Sequence, residues 1–152
     1  MNDNEMVEHL ARHPLLNGLP RPLLQSLAAG AKAFDADTNE YLGRHGAPSH
    51  AFYLIRTGHV ALEIPTPNRG LVPIQTIGPG DILGWSWLVP PHRWQFDCRA
   101  KEVVHGIMFD AAWLRDRCES DHELGFQLIK RLVYVIANRL AATRVQLLDL
   151  YQ

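Results

Sequence analysis

Short apolar segments recur at close intervals between residues 31 and 109, and turn-forming residues separate them. Residues 60–64 alternate between one apolar and one more polar face, as half-buried strands do. Candidate strands lie at 31–34, 40–43, 52–56, 59–64, 72–77 and 103–109, divided by turns rich in Asp, Gly and Pro. So many short strands at near-regular spacing predict an antiparallel β-roll, a double-stranded jelly roll of the cupin-like kind.

Helical patterns flank this β-rich region. Residues 3–12 carry apolar side chains at helical spacing, and a second helix is predicted from Pro22 to Ala28. After residue 109, Asp110 can cap a short helix, and Ser120 with Glu123 has the form of a capping box. The 152 residues therefore predict one α+β domain, with N-terminal helices over 1–30, the β-roll over 31–109 and C-terminal helices over 110–152.

The last 30 residues have no proline and a single glycine, Gly125, which predicts one helix of about 30 residues. Its apolar side chains step by three and four, as in a coiled-coil seam. The alternative is that the same stripe packs on its own β-roll, at least over the first half of the helix. We expect a parallel homodimer through the C-terminal helix, with the interface formed by Ile129, Val133, Ile136, Leu140, Thr143, Leu147 and Leu150.

Residues 78–100 have the composition of a pocket wall. Glycines at 78, 80 and 84 permit positive φ and close approach of backbone N–H groups, and prolines stiffen the flanks. Three of the four tryptophans lie here, at 85, 87 and 94, with Arg93 between them. An arginine beside aromatic faces suits a planar or anionic ligand. The alternative is that the indoles simply fill the open end of the roll.

Composition disfavours several other functions. Fifteen basic against sixteen acidic residues give no field for direct DNA binding. No apolar run could span a bilayer and no signal peptide is evident, so we expect a cytoplasmic protein without membrane contact. The histidines show no His-x-His spacing for a metal, and no nucleophile lies in a recognisable motif. We therefore expect a protein that is not an enzyme and holds no metal.

Several segments, taken in order, resemble the cyclic-nucleotide-binding domain of the Crp/Fnr superfamily. Residues 14–19 are similar to its opening turn, and residues 52–60 to its paired strands. Residues 77–84 (Ile-Gly-Pro-Gly-Asp-Ile-Leu-Gly) resemble the strand that leads into its phosphate-binding cassette, and residues 139–143 resemble its dimer helix. The resemblance covers the chain from about residue 14 onward and implies a regulatory pocket within a β-roll.

The same resemblance implies an altered ligand site. The family's glutamate, which holds the ribose hydroxyl, is replaced by Trp85, and its phosphate-binding arginine aligns with Trp94 unless a one-residue shift brings in Arg93. An indole can replace neither group, and losing such a charged partner costs about 2–5 kcal/mol. The ligand is then a cyclic nucleotide or another small anionic molecule. The candidate ligand-binding residues are Gly84, Trp85, Ser86, Trp87, His92, Arg93, Trp94, Gln95 and Thr143.

These observations predict a homodimeric sensor domain with a pocket altered from cAMP binding. Transcription factors of this superfamily continue into a helix-turn-helix domain, whereas this chain stops at Gln152, so we expect no DNA-binding domain. Two alternatives remain open. The domain could bind cAMP or cGMP through Arg93, or it could be a scaffold that takes no ligand and docks another protein through its dimer helix.

Overall fold

The computed structural model describes residues 2–150, without the side chains of Gln146 and Leu150. Within residues 2–150, four helices and eight strands follow one another, with a single 3₁₀ turn at Trp85–Leu88. The helices are α1 (Asp3–Arg12), α2 (Arg21–Ala28), α3 (Ala111–Ser120) and α4 (His122–Leu150). The strands are β1 (Ala31–Ala36), β2 (Tyr41–Gly43), β3 (Ala51–Thr57), β4 (Val60–Thr66), β5 (Gly70–Ile77), β6 (Ile82–Leu83), β7 (Asp97–Ala100) and β8 (Val104–Asp110).

The strands form two antiparallel sheets of four. One has the order β1-β8-β3-β6 and the other β2-β7-β4-β5. The predicted α+β architecture, an antiparallel β-roll with flanking helices and a long C-terminal helix, is confirmed. Sequence patterns missed two strands: β6 has only two residues, and β7 alternates charged Asp97 and Arg99 with small Cys98 and Ala100. No helix within residues 2–150 is long and apolar enough to cross a membrane.

Two cores stabilise this arrangement. The first lies between the helices and the β1-β8-β3-β6 sheet, where Leu27, Phe52 and Phe109 are buried with Leu128 of α4. The second fills the inside of the roll. Its members include Tyr53, Ile55, Val60, Leu62, Trp94 and Cys98. Burying one large apolar side chain contributes about 1.5–3 kcal/mol, so these clusters hold both the sheets and the helices in place.

A buried histidine joins α1 to the roll. His13 follows the end of α1, and its Nδ1 accepts a hydrogen bond from the backbone N–H of Leu15. The proton is therefore on Nε2, which donates to the carbonyl oxygen of Asp81 at 3.2 Å. Burial lowers the pKa of His13 below its ordinary value of 6.5, although hydrogen bonds to the carbonyls of Asp81 and Ile55 partly oppose this.

Aspartates begin both C-terminal helices. Asp110 accepts from the backbone N–H of Trp113, as predicted, and begins α3. The capping box expected at Ser120 is wrong. Asp121 instead accepts from the N–H of Leu124, while the Ser120 hydroxyl bonds to the carbonyl of Arg117 inside α3. Asp121 has extended backbone angles, so the helical conformation is interrupted at this residue. Helix α4 therefore starts one residue later than a capping box at Ser120 requires.

Helix α4 presents two apolar stripes. The stripe that packs on the domain contains Leu124, Leu128 and Leu132, all buried. The predicted dimer seam is a different stripe: Val133 is 57% exposed, and Leu140 and Leu147 are also exposed. Ile136 is half-buried, and Leu150 lies outside the described side chains. The seam thus does not cover the chain's own roll, not even over the first half of the helix.

Candidate functional site

The turn at Gly78–Gly80 is fixed against strand β3. The Asp81 carboxylate accepts from the N–H of Gly78 at 2.8 Å. The carbonyl of Ile55 accepts from Gly80, and the N–H of Ile55 donates to the carbonyl of Asp81. These bonds extend the pairing of β3 with β6. They place Gly84, the residue that follows β6, at the open end of the roll. The turn is therefore a rigid frame for whatever lies beyond it.

Only a glycine fits at position 84. Its φ of 92° lies in the left-handed region, where other residues are strained. A Cβ added there would lie 2.7 Å from the carbonyl oxygen of Ala51 and 2.8 Å from the ring of Trp94. The chain turns sharply at this residue into the 3₁₀ turn at Trp85–Leu88. The glycine is thus required for close packing, and its backbone lies directly against Trp94.

The three tryptophans do not form a common aromatic wall. Trp87 is fully buried in the core beneath the helices, 5.8 Å from the ring of Phe52. Trp94 is only 3% exposed and stacks on Tyr53 inside the roll, at 6.2 Å between centroids. Trp85 is half-buried at the end of the roll. Two of the three indoles are therefore packing residues, Trp94 inside the roll and Trp87 in the core beneath the helices.

Arg93 and Trp94 point in opposite directions. Neighbouring residues of an extended chain place their side chains on opposite faces, and here Trp94 is the inward one. Arg93 is exposed, and its guanidinium donates to the carbonyl of Gly46 at 2.7 Å. His92 is half-buried with a φ of 57°, and the amide of Gln95 donates to the carbonyl of Arg93. A role for Arg93 in ligand binding stays a prediction, and it requires this side chain to change its partner.

A small cavity lies beneath Gly84, and we call it the Gly84 cavity. Its volume is about 20 Å³, which is room for a single water molecule at most. Five predicted ligand-binding residues line it, whereas Trp87, His92, Arg93 and Thr143 do not. The lining residues are Leu62, Leu83, Gly84, Trp85, Ser86, Trp94, Gln95, Phe96, Cys98 and Arg139.

The cationic side chain at this cavity is Arg139 of α4. Its guanidinium donates a 2.5 Å hydrogen bond to the carbonyl oxygen of Ile82 in β6. Burial lowers the pKa of Arg139, although Asp81 and Cys98 partly oppose the shift. Arg139 was not among the site residues predicted from the sequence. One signal was present, because Leu128, Leu132, Val135 and Arg139 step by four, three and four along the buried face of the helix.

The other polar groups near the cavity have structural partners. Thr143 lies one turn beyond Arg139, is exposed, and donates its hydroxyl proton to the carbonyl of Arg139. Burial raises the pKa of the Cys98 thiol to about 12, so this sulfur is protonated and unreactive at neutral pH. Within the described part of the chain, no group of three His, Cys, Asp or Glu side chains could hold a metal ion.

Comparisons with known proteins agree with this fold. A family model described as "Cyclic nucleotide-binding domain" matches residues 35–121. A cyclic nucleotide-binding domain from Methylobacillus flagellatus KT has a TM-score of 0.81 at 20% identity, covering 97% of this chain and 83% of that one. The sensor domain of the transcriptional regulator DNR from Pseudomonas aeruginosa has a TM-score of 0.72 at 19% identity, covering 91% and 93%.

A third similar structure belongs to a larger protein. A variant of a cAMP-binding acyltransferase from Mycobacterium smegmatis has a TM-score of 0.75 at 26% identity, covering 92% of this chain and 42% of that chain. The matching architecture thus occurs both in isolated domains and within longer chains. The resemblance stated from sequence motifs is confirmed by these comparisons.

Proposed function

The chain belongs to the cyclic nucleotide-binding domain family, and we propose that it is a homodimeric regulatory domain whose Gly84 cavity does not accept cAMP or cGMP. The observation that carries this proposal is the size of the cavity. At about 20 Å³ it is far below the roughly 300–1,000 Å³ of pockets that enclose small-molecule ligands.

Opening the cavity would be costly because Trp94 is part of the core. The ring stacks on Tyr53 and lies against both Gly43 and Gly84. Losing the burial of a tryptophan costs about 3–5 kcal/mol. A micromolar ligand supplies only about 8 kcal/mol in total, so displacement of this ring would offset a large share of any binding energy.

The guanidinium groups near the cavity already have acceptors. Arg93 is exposed and bonded to Gly46, and Arg139 is engaged with the carbonyl of Ile82. An incoming phosphate would have to take one of these guanidinium groups from its present acceptor. The carbonyl bond lost in that exchange would offset part of the energy gained from the phosphate.

In place of a ligand, the Arg139 contact itself would carry the regulatory signal. It joins α4 to the end of the roll, while the exposed seam of the same helix is free to meet a second copy. An apolar stripe of this kind favours association. Making or breaking the Arg139 bond would then change how the two long helices pack, and a partner protein could respond to that change.

Thermal unfolding with millimolar cAMP and cGMP tests the closed cavity. A ligand at a hundred times its Kd stabilises by about 2.7 kcal/mol and moves the midpoint by a few degrees. We expect no shift with either nucleotide. A shift that disappears in Arg93→Gln would contradict the proposal and support the alternative, in which Arg93 turns inward to the phosphate. Arg69→Gln, in the β4–β5 hairpin, is the matched control for loss of one positive charge.

A further inference from the structure

A second concavity lies between the helical part and the roll, and it shares no residue with the Gly84 cavity. Its volume is about 360 Å³, within the range of small-molecule sites. Helix α1, the end of β3 and the Pro79–Gly80 turn border it, and none of its lining side chains is acidic. We call it the arginine cavity, and it is lined by His9, Arg12, His13, Pro14, Ile55, Arg56, Pro79 and Gly80.

The two arginines of this cavity lack anionic partners. Two other arginines do have a carboxylate partner: Arg21 pairs with Glu8 at 3.1 Å, and Arg99 pairs with Glu63 at 3.2 Å. Within residues 2–150, no carboxylate or hydrogen-bond acceptor contacts the guanidinium of Arg12 or Arg56. Two unpaired like charges at one concavity repel each other, and an anion between them would relieve that repulsion.

His9 lies close to both arginines of the cavity. Burial, then Arg56 and Arg12, lower the pKa of its imidazole, and only Glu5 opposes them. The charges of Arg12 on α1 and Arg56 on β3 therefore both act on the His9 imidazole. Both arginines are exposed, and their charges converge on one concavity, which raises the local concentration of anions there.

The floor of the cavity is already ordered. His13 is bonded at both ring nitrogens, and the Pro79–Gly80 turn is bonded to Ile55 of β3. A ligand would therefore meet a surface that needs little rearrangement, which lowers the entropic cost of binding. Pro14, Ile55 and Pro79 supply apolar walls beside the charged groups.

We propose that the arginine cavity binds a soluble small molecule bearing a phosphate monoester or diphosphate group, and not a cyclic phosphodiester, held between Arg12 of α1 and Arg56 of β3. The guanidinium fork matches phosphate oxygens in charge and geometry, and the apolar walls accept the organic part of the molecule. A bound anion would form a second link between α1 and the roll, alongside the His13 bond. This site is independent of the Gly84 cavity and of the function proposed above.

Calorimetric titration of the full chain with inorganic pyrophosphate at constant ionic strength tests the site. We expect one binding site per chain, and an affinity at least roughly tenfold lower in the double variant Arg12→Gln/Arg56→Gln, since bonds to charged groups are worth that much. Arg69→Gln removes one charge from an exposed hairpin outside the cavity and should leave the affinity within about twofold.

Three outcomes would overturn the proposal. One is an absence of pyrophosphate binding to the unmodified chain at millimolar concentration. The second is an equal loss of affinity in Arg69→Gln, because that result would assign binding to overall charge. The third concerns a lipid headgroup, which offers the same phosphate chemistry. Sedimentation with phosphatidic acid vesicles, if abolished in the double variant, would assign the cavity to a membrane in place of a soluble ligand. Circular dichroism of each variant checks that the fold is retained.

Discussion

The guanidinium of Arg139 donates a hydrogen bond to the carbonyl oxygen of Ile82, and so links the long C-terminal helix to the end of the roll. The two residues lie 57 positions apart in the chain. Ile82 belongs to the two-residue strand β6, immediately before Leu83 and Gly84. The contact therefore joins α4 to the strand that leads into the Gly84 cavity.

Removing this guanidinium should loosen the second half of α4. In Arg139→Ala, the Ile82 carbonyl loses its charged donor, and we expect the free energy of unfolding to fall by about 1–3 kcal/mol. Amide hydrogen exchange should accelerate beyond residue 135 and in β6. Arg144→Ala, an exposed position on the same helix, is the control and should change neither quantity. If the two variants had the same free energy of unfolding and the same exchange rates, the Arg139 contact would not stabilise the structure.

The exposed seam should mediate the proposed homodimer. Val133 is 57% exposed in the single chain and lies near the middle of α4. A charge in an apolar interface carries a heavy desolvation cost, so Val133→Glu should be monomeric at concentrations where the unmodified chain is dimeric. Sedimentation equilibrium measures this, with Asn138→Glu as the control because Asn138 is exposed on another side of the helix. A monomeric unmodified chain at high micromolar concentration would refute the dimer.

His13 should make stability depend on pH. Its pKa is lowered on folding, so the unfolded chain binds more protons below 6.5. Stability from this residue is fully present above pH 6.5 and decreases as the pH falls towards the folded pKa. In His13→Asn, the amide oxygen can still accept from Leu15, but the bond to Asp81 is lost.

We therefore expect His13→Asn to be less stable by about 1 kcal/mol at pH 7, and its stability to fall less steeply between pH 7 and 5. Urea unfolding at several pH values measures both effects. His45→Asn, at an exposed position, should keep the slope of the unmodified chain. If the stability of His13→Asn fell with pH as steeply as that of the unmodified chain, His13 would not be the cause of the pH dependence.

Alanine substitutions at Gly84 and Gly46 distinguish the energetic cost of backbone strain from that of steric crowding. Both have positive φ, 92° and 83°, but a Cβ at Gly46 meets nothing within 4 Å. Gly46→Ala should cost only the strain of a left-handed alanine, about 1 kcal/mol. Gly84→Ala adds a clash with Ala51 and Trp94, so its loss of stability in thermal unfolding should be clearly larger. Similar losses in both variants would mean that the neighbours of Gly84 move aside easily.

The prediction from sequence succeeded where structure depends on near neighbours. The predicted helix over residues 3–12 has the bounds observed for α1, and Asp110 begins α3 as expected. Each depends on groups a few residues apart, namely apolar spacing and a side-chain cap. The capping box failed because two polar residues, Ser120 and Asp121, compete for the same helix start, and Asp121 takes it with its extended backbone.

The candidate site was harder to predict because it combines distant segments. Sequence reasoning placed Gly84, Trp85, Ser86, Trp94 and Gln95 in one region, and all five line the same cavity. It did not identify Arg139, which reaches that cavity from α4. Whether any of these residues contacts a ligand stays a prediction.

By itself, the sequence determined the antiparallel roll, the flanking helices and the position of the glycine turn, because alternation, helical spacing and turn chemistry act over a few residues. Only the tertiary structure decided that Trp94 points inward and Arg93 outward, since a shift of one residue in an extended segment exchanges its two faces. It also decided that Arg139 meets Ile82, because that bond depends on how α4 packs against the roll, and no local pattern specifies this packing.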